Sequence, residues 1–391
     1  MPTGHLRHFI EHYFAPHPST ELREMFFATA ILDFATASVM VFEPIYLYSV
    51  GFSITQILYF FIALYVLYFF LLPLGGRICR GHGYEHSILY SSPFLIIYYL
   101  SLFATRFDRR FILAALFALA IQKILYWPGY HSNFATYGDG KEVGREVSNR
   151  YTMASLASAL APLVGSLIIA RSGFASLFIF VSILILLSNL PMMKTPELFV
   201  PKDFPYVDAV KRVFERGNAR KFFAFFGYGE ELVALVLWPI FISLMVKDFV
   251  YVGTIVSLSM FVTILVTLYV GRLSDEGNRT AVLRTGTIYT AASWFVRPIV
   301  TGGFGAFLTD LFYRVAKNTM SVPQVAMIYD DARKNHVMRT VIFFEMSLAL
   351  GKVAAALLAV AACWYLKNPW IAIFIIAGVF SSLFSLLKDP K

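Results

Sequence analysis

Charge is scarce in this chain. Asp, Glu, Lys and Arg together make up 15% of its 391 residues, against about 25% in soluble domains. That excludes a fully solvated globular surface. Cysteine is scarcer still: Cys79 and Cys363 stand alone in opposite halves, so no disulfide framework is expected. No glycine-rich loop of the Walker type occurs, so ATP hydrolysis within the chain is not expected. No nucleophile–base pair and no metal-ligand set falls at helical spacing in the apolar segments, so neither an enzyme nor a cofactor is called for. The first twenty residues are polar and His-rich and lack the apolar core and small-residue cleavage site of a signal peptide. The first apolar segment is therefore expected to act as an uncleaved anchor.

Apolar residues fill the space that charge leaves. They make up 58% of the chain, with mean hydropathy +0.66 and 39 Phe and 22 Tyr, many of them near segment ends, as in the aromatic belts of membrane proteins. A membrane-spanning helix needs about 20 apolar residues. Twelve such stretches can be drawn, at 22–49, 54–77, 87–106, 109–136, 146–171, 174–193, 220–246, 249–273, 281–301, 304–329, 338–366 and 369–387. Alternate connections differ in charge: 22 of the 33 Lys and Arg fall in the termini and the loops near 80, 140, 205, 276 and 334. By the positive-inside rule these lie in the cytoplasm, with both termini. The net charge of +9 is then a matter of topology, with anionic lipid as its partner; nucleic acid is not required.

The chain also repeats itself at an offset of 195 positions. Phe27 matches Phe222, Pro44 matches Pro239, Gly76-Arg77 matches Gly271-Arg272, and Pro128 matches Pro323. This predicts an all-α membrane protein of two pseudo-symmetric six-helix bundles, residues 1–193 and 220–391. Parallel repeats of this kind occur in transporters. Between them, 194–219 opens with Pro196, Pro201 and Pro205 and continues with apolar and basic residues on separate faces, an interfacial helix acting as a tether.

At the end of the eighth stretch stands Gly271-Arg272-Leu273-Ser274-Asp275-Glu276-Gly277-Asn278-Arg279, and its first-half counterpart is Gly76-Arg77-Ile78-Cys79-Arg80-Gly81. The first resembles the cytoplasmic loop motif of the major facilitator superfamily, G-x-L-x-D-x-x-G-R. Asn278 stands where that family has glycine, as a residue tolerant of the left-handed conformation, and Arg80 where it has aspartate. The resemblance implies the major facilitator fold, alternating access, and gating residues at Gly76, Arg80, Gly271, Asp275 and Arg279. The first copy is not expected to form the family's ionic lock. Ala157-x-x-x-Ala161-Pro162-x-x-Gly165-Ser166 is similar to the antiporter motif of the same superfamily, with Pro162 as its bend. It reads equally as close helix packing, adds Pro162 to the expected gating residues, and tilts the direction toward export.

Ionisable residues inside apolar stretches are expected to face a cavity or one another. Asp310, Arg314 and Lys317 follow i, i+4, i+7 spacing with Tyr313 and Asn318 beside them, and under the 195 offset Lys317 and Asn318 fall on Gln122 and Lys123. Gln122, Lys123, Tyr126, Asp310, Tyr313, Arg314, Lys317 and Asn318 are thus the expected substrate site. An internal Asp310–Arg314 salt bridge is the structural alternative. Asp33, and one of Glu230 and Glu231, are the proton-coupling candidates. Glu345 and Lys352, seven apart, are candidates for a buried ion pair or for the cavity wall, and Arg297 is expected to snorkel to the outer surface. His5, His8 and His12 would share a helix face, but a metal site there is not expected. The sum is a proton-coupled secondary transporter of a polar, charged or zwitterionic solute, expected to be monomeric in the plasma (inner) membrane. Two alternatives are a lipid or lysolipid flippase and a transport-dead sensor.

Overall fold

Proline sets the shape of the two equivalent helices. A proline inside a helix lacks its N–H and clashes with the carbonyl four residues earlier. In the computed structural model, α1 (Thr20–Met40) and α2 (Phe42–Ser49) are separated at Val41, three residues before Pro44. In the second half, α8 (Ala219–Phe226) and α9 (Gly229–Leu232) run through a π-helical turn at Val233–Leu237 into α10 (Trp238–Val246), which holds Pro239. The disturbance falls at the same place in both copies because the same residue causes it.

The structure describes residues 20–137, 152–193, 204–276 and 278–389. Among these every regular element is helical. The repeat extends to helix starts. Helix α3 (Ile54–His82) begins 195 positions before α11 (Phe249–Glu276), and α4 (Tyr84–Ala104) begins 195 positions before α12 (Arg279–Val296). The other elements are α5 (Phe111–Tyr137), α6 (Ala161–Ser188), the connecting helix α7 (Tyr206–Phe214), α13 (Gly302–Lys334), α14 (Val337–Tyr365) and α15 (Trp370–Ser382). Pairings repeat as well: α4 packs on α5 as α12 packs on α13, while α3 crosses to α14 and α6 to α11.

Seven helical stretches are long and apolar enough to cross a membrane, or eight if the 40° bend in α11 is counted within one span. The protein is an integral, multi-pass membrane protein. The longest stretch, Thr152–Ser188, would run about 55 Å at 1.5 Å per residue, well past a hydrocarbon core of about 30 Å. It is broken at Gly173, whose φ of 77° and ψ of 177° lie in a region essentially reserved for glycine. Phe178 packs on Phe103 at the end of α4, and Asn189 accepts from Ser92 near its middle. The chain thus doubles back after Gly173. Among the described residues α7 carries Lys211 and Arg212 outward and buries Ala209 and Val213, while the histidines His5, His8, His12 and His17 lie outside the described residues.

Small residues permit the close crossings. A Cβ on Gly165 would stand 1.9 Å from the Ser38 carbonyl oxygen, and one on Gly253 would stand 2.6 Å from that of Pro162. The Ala157–Ser166 stripe is therefore a packing surface, holding α1 on one side and α11 on the other.

Candidate functional site

Most of the charges predicted inside the membrane neutralise one another. Lys317 on α13 forms an ion pair with Glu230 and stands 3.3 Å from Glu231 Oε1, while Lys352 on α14 holds Glu231 Oε2 at 3.1 Å. Glu230 is fully buried and also accepts from Trp294 Nε1 at 3.2 Å and Tyr313 OH at 3.0 Å. One turn along α13, Asp310 accepts from Arg314 Nε at 2.7 Å and from Trp238 Nε1 at 3.1 Å. A carboxylate enclosed in low dielectric is tolerable when its lone pairs are filled in this way. The i, i+4 bridge expected as the structural alternative is present. Asp310, Tyr313, Arg314 and Lys317 serve this network, and none of them lines a described cavity.

Arg297 corrects an expectation. It does not snorkel; it is fully buried. Its guanidinium lies 3.7 Å from the ring centre of Trp294, 3.9 Å from Trp238 and 4.7 Å from Tyr313. Three aromatic faces supply the stabilisation that water would have given. Glu345 and Lys352 have different partners rather than each other: Lys352 takes Glu231, and Glu345 meets His131. Both do line a cavity wall.

The larger central cavity, of about 380 Å³, is lined by helices from both halves of the chain. Asp33, Gln122, Lys123, Tyr126 and Asn318 all face it. Asn318 is anchored to Thr267 Oγ1 at 2.8 Å. On the wall nearer the opposite end, Glu43 accepts from Tyr98 and Tyr99, each at 3.0 Å. Lys123 differs from Lys317 and Lys352. Its Nζ lies 5.6 Å from the Tyr65 ring centre and 5.8 Å from that of Trp127, and it makes no ion pair among the described residues. Most of the remaining lining is aliphatic and aromatic, including Leu32, Leu119, Leu235 and Met260.

A second cavity of about 160 Å³ adjoins the first, sharing Tyr65, Lys123 and Trp127. Here the sequence reading missed a residue. His131 Nε2 stands 3.1 Å from Glu345 Oε1, its Nδ1 is 2.8 Å from Tyr329 OH, and Tyr68 OH donates to Glu345 Oε2 at 2.8 Å. The available signal was the four-residue spacing of Lys123, Trp127 and His131, which sets them on one face of α5.

The expected gating residues sit at the end of the bundle that carries the basic loops. Gly76 is packed so that an added Cβ would meet Ile342 at 3.1 Å and Phe204 at 3.2 Å. Gly271 is buried in the last turns of α11. Arg80 reaches Tyr84 OH at 3.4 Å. Arg279 bonds the Ser274 carbonyl at 3.1 Å and forms an ion pair with Asp330 on α13; the side chain of Asp275 lies outside what is described. Asn278 is not left-handed. At φ −86° and ψ 96° it is the N-cap of α12, accepting from the Ala281 amide. A capping oxygen satisfies a helix end that glycine could not.

No family model and no curated protein matches this sequence. The backbone, in contrast, is similar to solved transporters over nearly its whole length. The crystal structure of the major facilitator superfamily transporter FucP in the outward conformation superposes with TM-score 0.66 at 13% identity, covering 94% of this chain and 98% of that one. A D-xylose-proton symporter gives 0.64 at 14% identity, covering 93% and 96%. The human organic anion transporter MFSD10 (TETRAN) gives 0.64 at 14%, covering 95% and 100%.

Proposed function

We propose that this chain, which has the major facilitator fold, is a secondary active transporter for a small organic solute carrying a negative charge on a largely apolar body. The central cavity carries the reading. Its lining is mostly apolar, yet it presents Lys123 with no ion-pair partner among the described residues, whereas Lys317 and Lys352 are committed to carboxylates. A cation with no ion-pair contact in low dielectric favours an anion beside it. Gln122 and Asn318 add neutral donors beside it, and of the two carboxylates in the lining, Asp33 and Glu43, Asp33 is the one at which proton and solute would compete.

Twelve crossings in two bundles, 1–193 and 220–391 with 194–219 between them, fit the matched helix starts. They require the break at Gly173 to divide one stretch in two. They also require α12 and α13, made polar by their inward faces, and α15, continued by the turn Leu383–Leu386, to cross as well. Rocking of these bundles would give alternating access, with the basic end in the cytoplasm, a proton as coupling ion and export as the favoured direction. A monomer suffices for this mechanism. The cavity, at about 380 Å³, is at the small end of the ~300–1,000 Å³ of small-molecule pockets, which weighs against a flippase of two-chain lipids.

The test is thermal-shift screening of the purified protein against monocarboxylates of graded apolar size, followed by flux of any hit into proteoliposomes. Lys123→Met should remove the stabilisation while leaving the unliganded melt unchanged. Hits whose effect survives in Lys123→Met would refute the placement of the anion, and binding without flux would indicate a sensor.

A further inference from the structure

The cluster around His131 joins helices of the two halves. Tyr68 on α3 and His131 on α5 come from the first; Tyr329 on α13 and Glu345 on α14 come from the second. Tyr68–Glu345, His131–Glu345 and His131–Tyr329, at 2.8, 3.1 and 2.8 Å, each run from one half to the other. His131, Tyr329 and Glu345 lie toward the basic end, with His131 six residues from the end of α5, and Tyr68 reaches them from the middle of α3. The Glu345 side chain is 4% exposed and that of His131 is 12% exposed, so little water competes for these bonds.

The hydrogen-bond roles follow from valence. A neutral imidazole donates from one nitrogen and accepts at the other. With Nε2–H directed at the Glu345 carboxylate, Nδ1 must accept from Tyr329. A second proton makes both nitrogens donors, turns the Tyr329 hydroxyl round, and turns the hydrogen bond to the Glu345 carboxylate into an ion pair between opposite charges. The ring is also fixed from the side, stacked on Trp127 at 5.5 Å and 23°. The other charged groups facing this cavity are Lys123, on the same face of α5, and Glu231 and Lys352 from other helices, and the remaining titratable ones are Tyr65 and Tyr228. Glu231 and Lys352 are paired with each other, and Lys317 holds the other side of Glu231. Glu231 is thus committed to two lysines. Glu230 is enclosed by Lys317, Trp294 and Tyr313.

We propose that the His131–Glu345 pair is a proton-binding site that latches the two halves of the chain together at the basic end. With the proton bound, imidazolium and carboxylate hold that end closed; when it leaves, the bond weakens and the halves part. Because Lys123 belongs to both cavities, an anion arriving beside it changes the charge on the wall of the latch cavity. Solute and proton thereby act on one interface. The proposal rests on reading the chain as an alternating-access transporter.

The test needs no known solute. Full-length protein with Cys79 and Cys363 replaced by alanine, and with His82→Cys and Asn335→Cys on the exposed basic end, is spin-labelled in lipid nanodiscs. Its inter-label distances are then measured by pulsed electron resonance from pH 5 to pH 9. The ratio of the short-distance to the long-distance population should fall on the order of tenfold as pH rises, within the range of ordinary coupling between sites. His131→Gln and Glu345→Gln should each abolish that dependence. A wild type whose distances ignore pH overturns the latch, as does a pH dependence that survives in His131→Gln. Tyr68→Phe, which keeps the packing and removes one donor to Glu345, should shift the midpoint; an unmoved midpoint counts against the cluster. Failure here with Lys123-dependent ligand binding intact removes the latch alone. An intact latch with no Lys123-dependent ligand removes the solute reading instead.

Discussion

Lys317→Met should destabilise the protein by about 3–5 kcal/mol, the range for removing one partner of a buried ion pair. The lysine is the cation of Glu230, whose side chain is 0% exposed, so its loss leaves a carboxylate that water cannot reach. Trp294 and Tyr313 still donate to it, which puts the expectation near the lower end, about 3 kcal/mol. Neutralising the orphan should undo most of the damage. In Lys317→Met/Glu230→Gln the coupling between the two changes should be about 2 kcal/mol, inside the range for residues in direct contact. Lys123→Met is the control: the same substitution in the matching helix of the other half, where no carboxylate is stranded, should stay within about 1 kcal/mol of wild type. Equilibrium unfolding in mixed micelles, followed by circular dichroism against the fraction of denaturing detergent, gives the stabilities of wild type, Lys317→Met, Glu230→Gln, the double variant and Lys123→Met. If Lys317→Met proves as stable as Lys123→Met, or if the double variant is no better than the sum of its singles, the network does not bear the charge as argued.

Other substitutions test separate parts of the structure. Gly165→Val would force a side chain into the Ser38 carbonyl, 1.9 Å from the first added atom; overpacking of this kind costs about 1–3 kcal/mol or more, and the melting temperature should fall. Arg297 has no hydrogen-bond partner for its three guanidinium nitrogens among the described residues. Arg297→Met should therefore stay within about 1 kcal/mol of wild type, whereas Arg297→Ala, which opens a cavity among three rings, should lose about 3 kcal/mol or more; equal losses in both would contradict the stacking account. Asn278→Ala should cost about 1 kcal/mol through the lost cap, with Asn278→Asp close to wild type in the same unfolding assay.

Different physical signals made different parts of this protein legible. The doubled-back hairpin at Gly173 could be placed from the sequence because a membrane fixes how long a helix can run. Pro44 and Pro239 could be matched because proline disturbs a helix wherever it stands. The loop motif could be recognised, but the conformation of Asn278 could not: asparagine serves both as a left-handed residue and as a cap, and the sequence does not say which helix end it will meet. Arg297 was misjudged for a related reason. Counting its distance from a helix end predicts a route to water, but Trp238 and Tyr313 arrive from two other helices and, with Trp294 of its own helix, close that route.

The candidate site divides along the same line. Periodicity put Asp310, Arg314 and Lys317 on one face of α13, and the 195-residue offset set Lys123 opposite them; both follow from the helix period and need no tertiary information. Whether such a face meets solute or a counter-charge depends on side chains arriving from helices far away in sequence. Glu230 and Glu231 come from more than eighty residues before Lys317 and take it out of the cavity, and Glu345, more than two hundred residues after His131, gives that histidine its partner. Composition, spacing and repeat determined the membrane setting, the helices and their pseudo-symmetry. The pairing of charges was decided only in the folded chain, because a Coulomb interaction in low dielectric acts over a few ångströms of space, whatever the separation along the sequence.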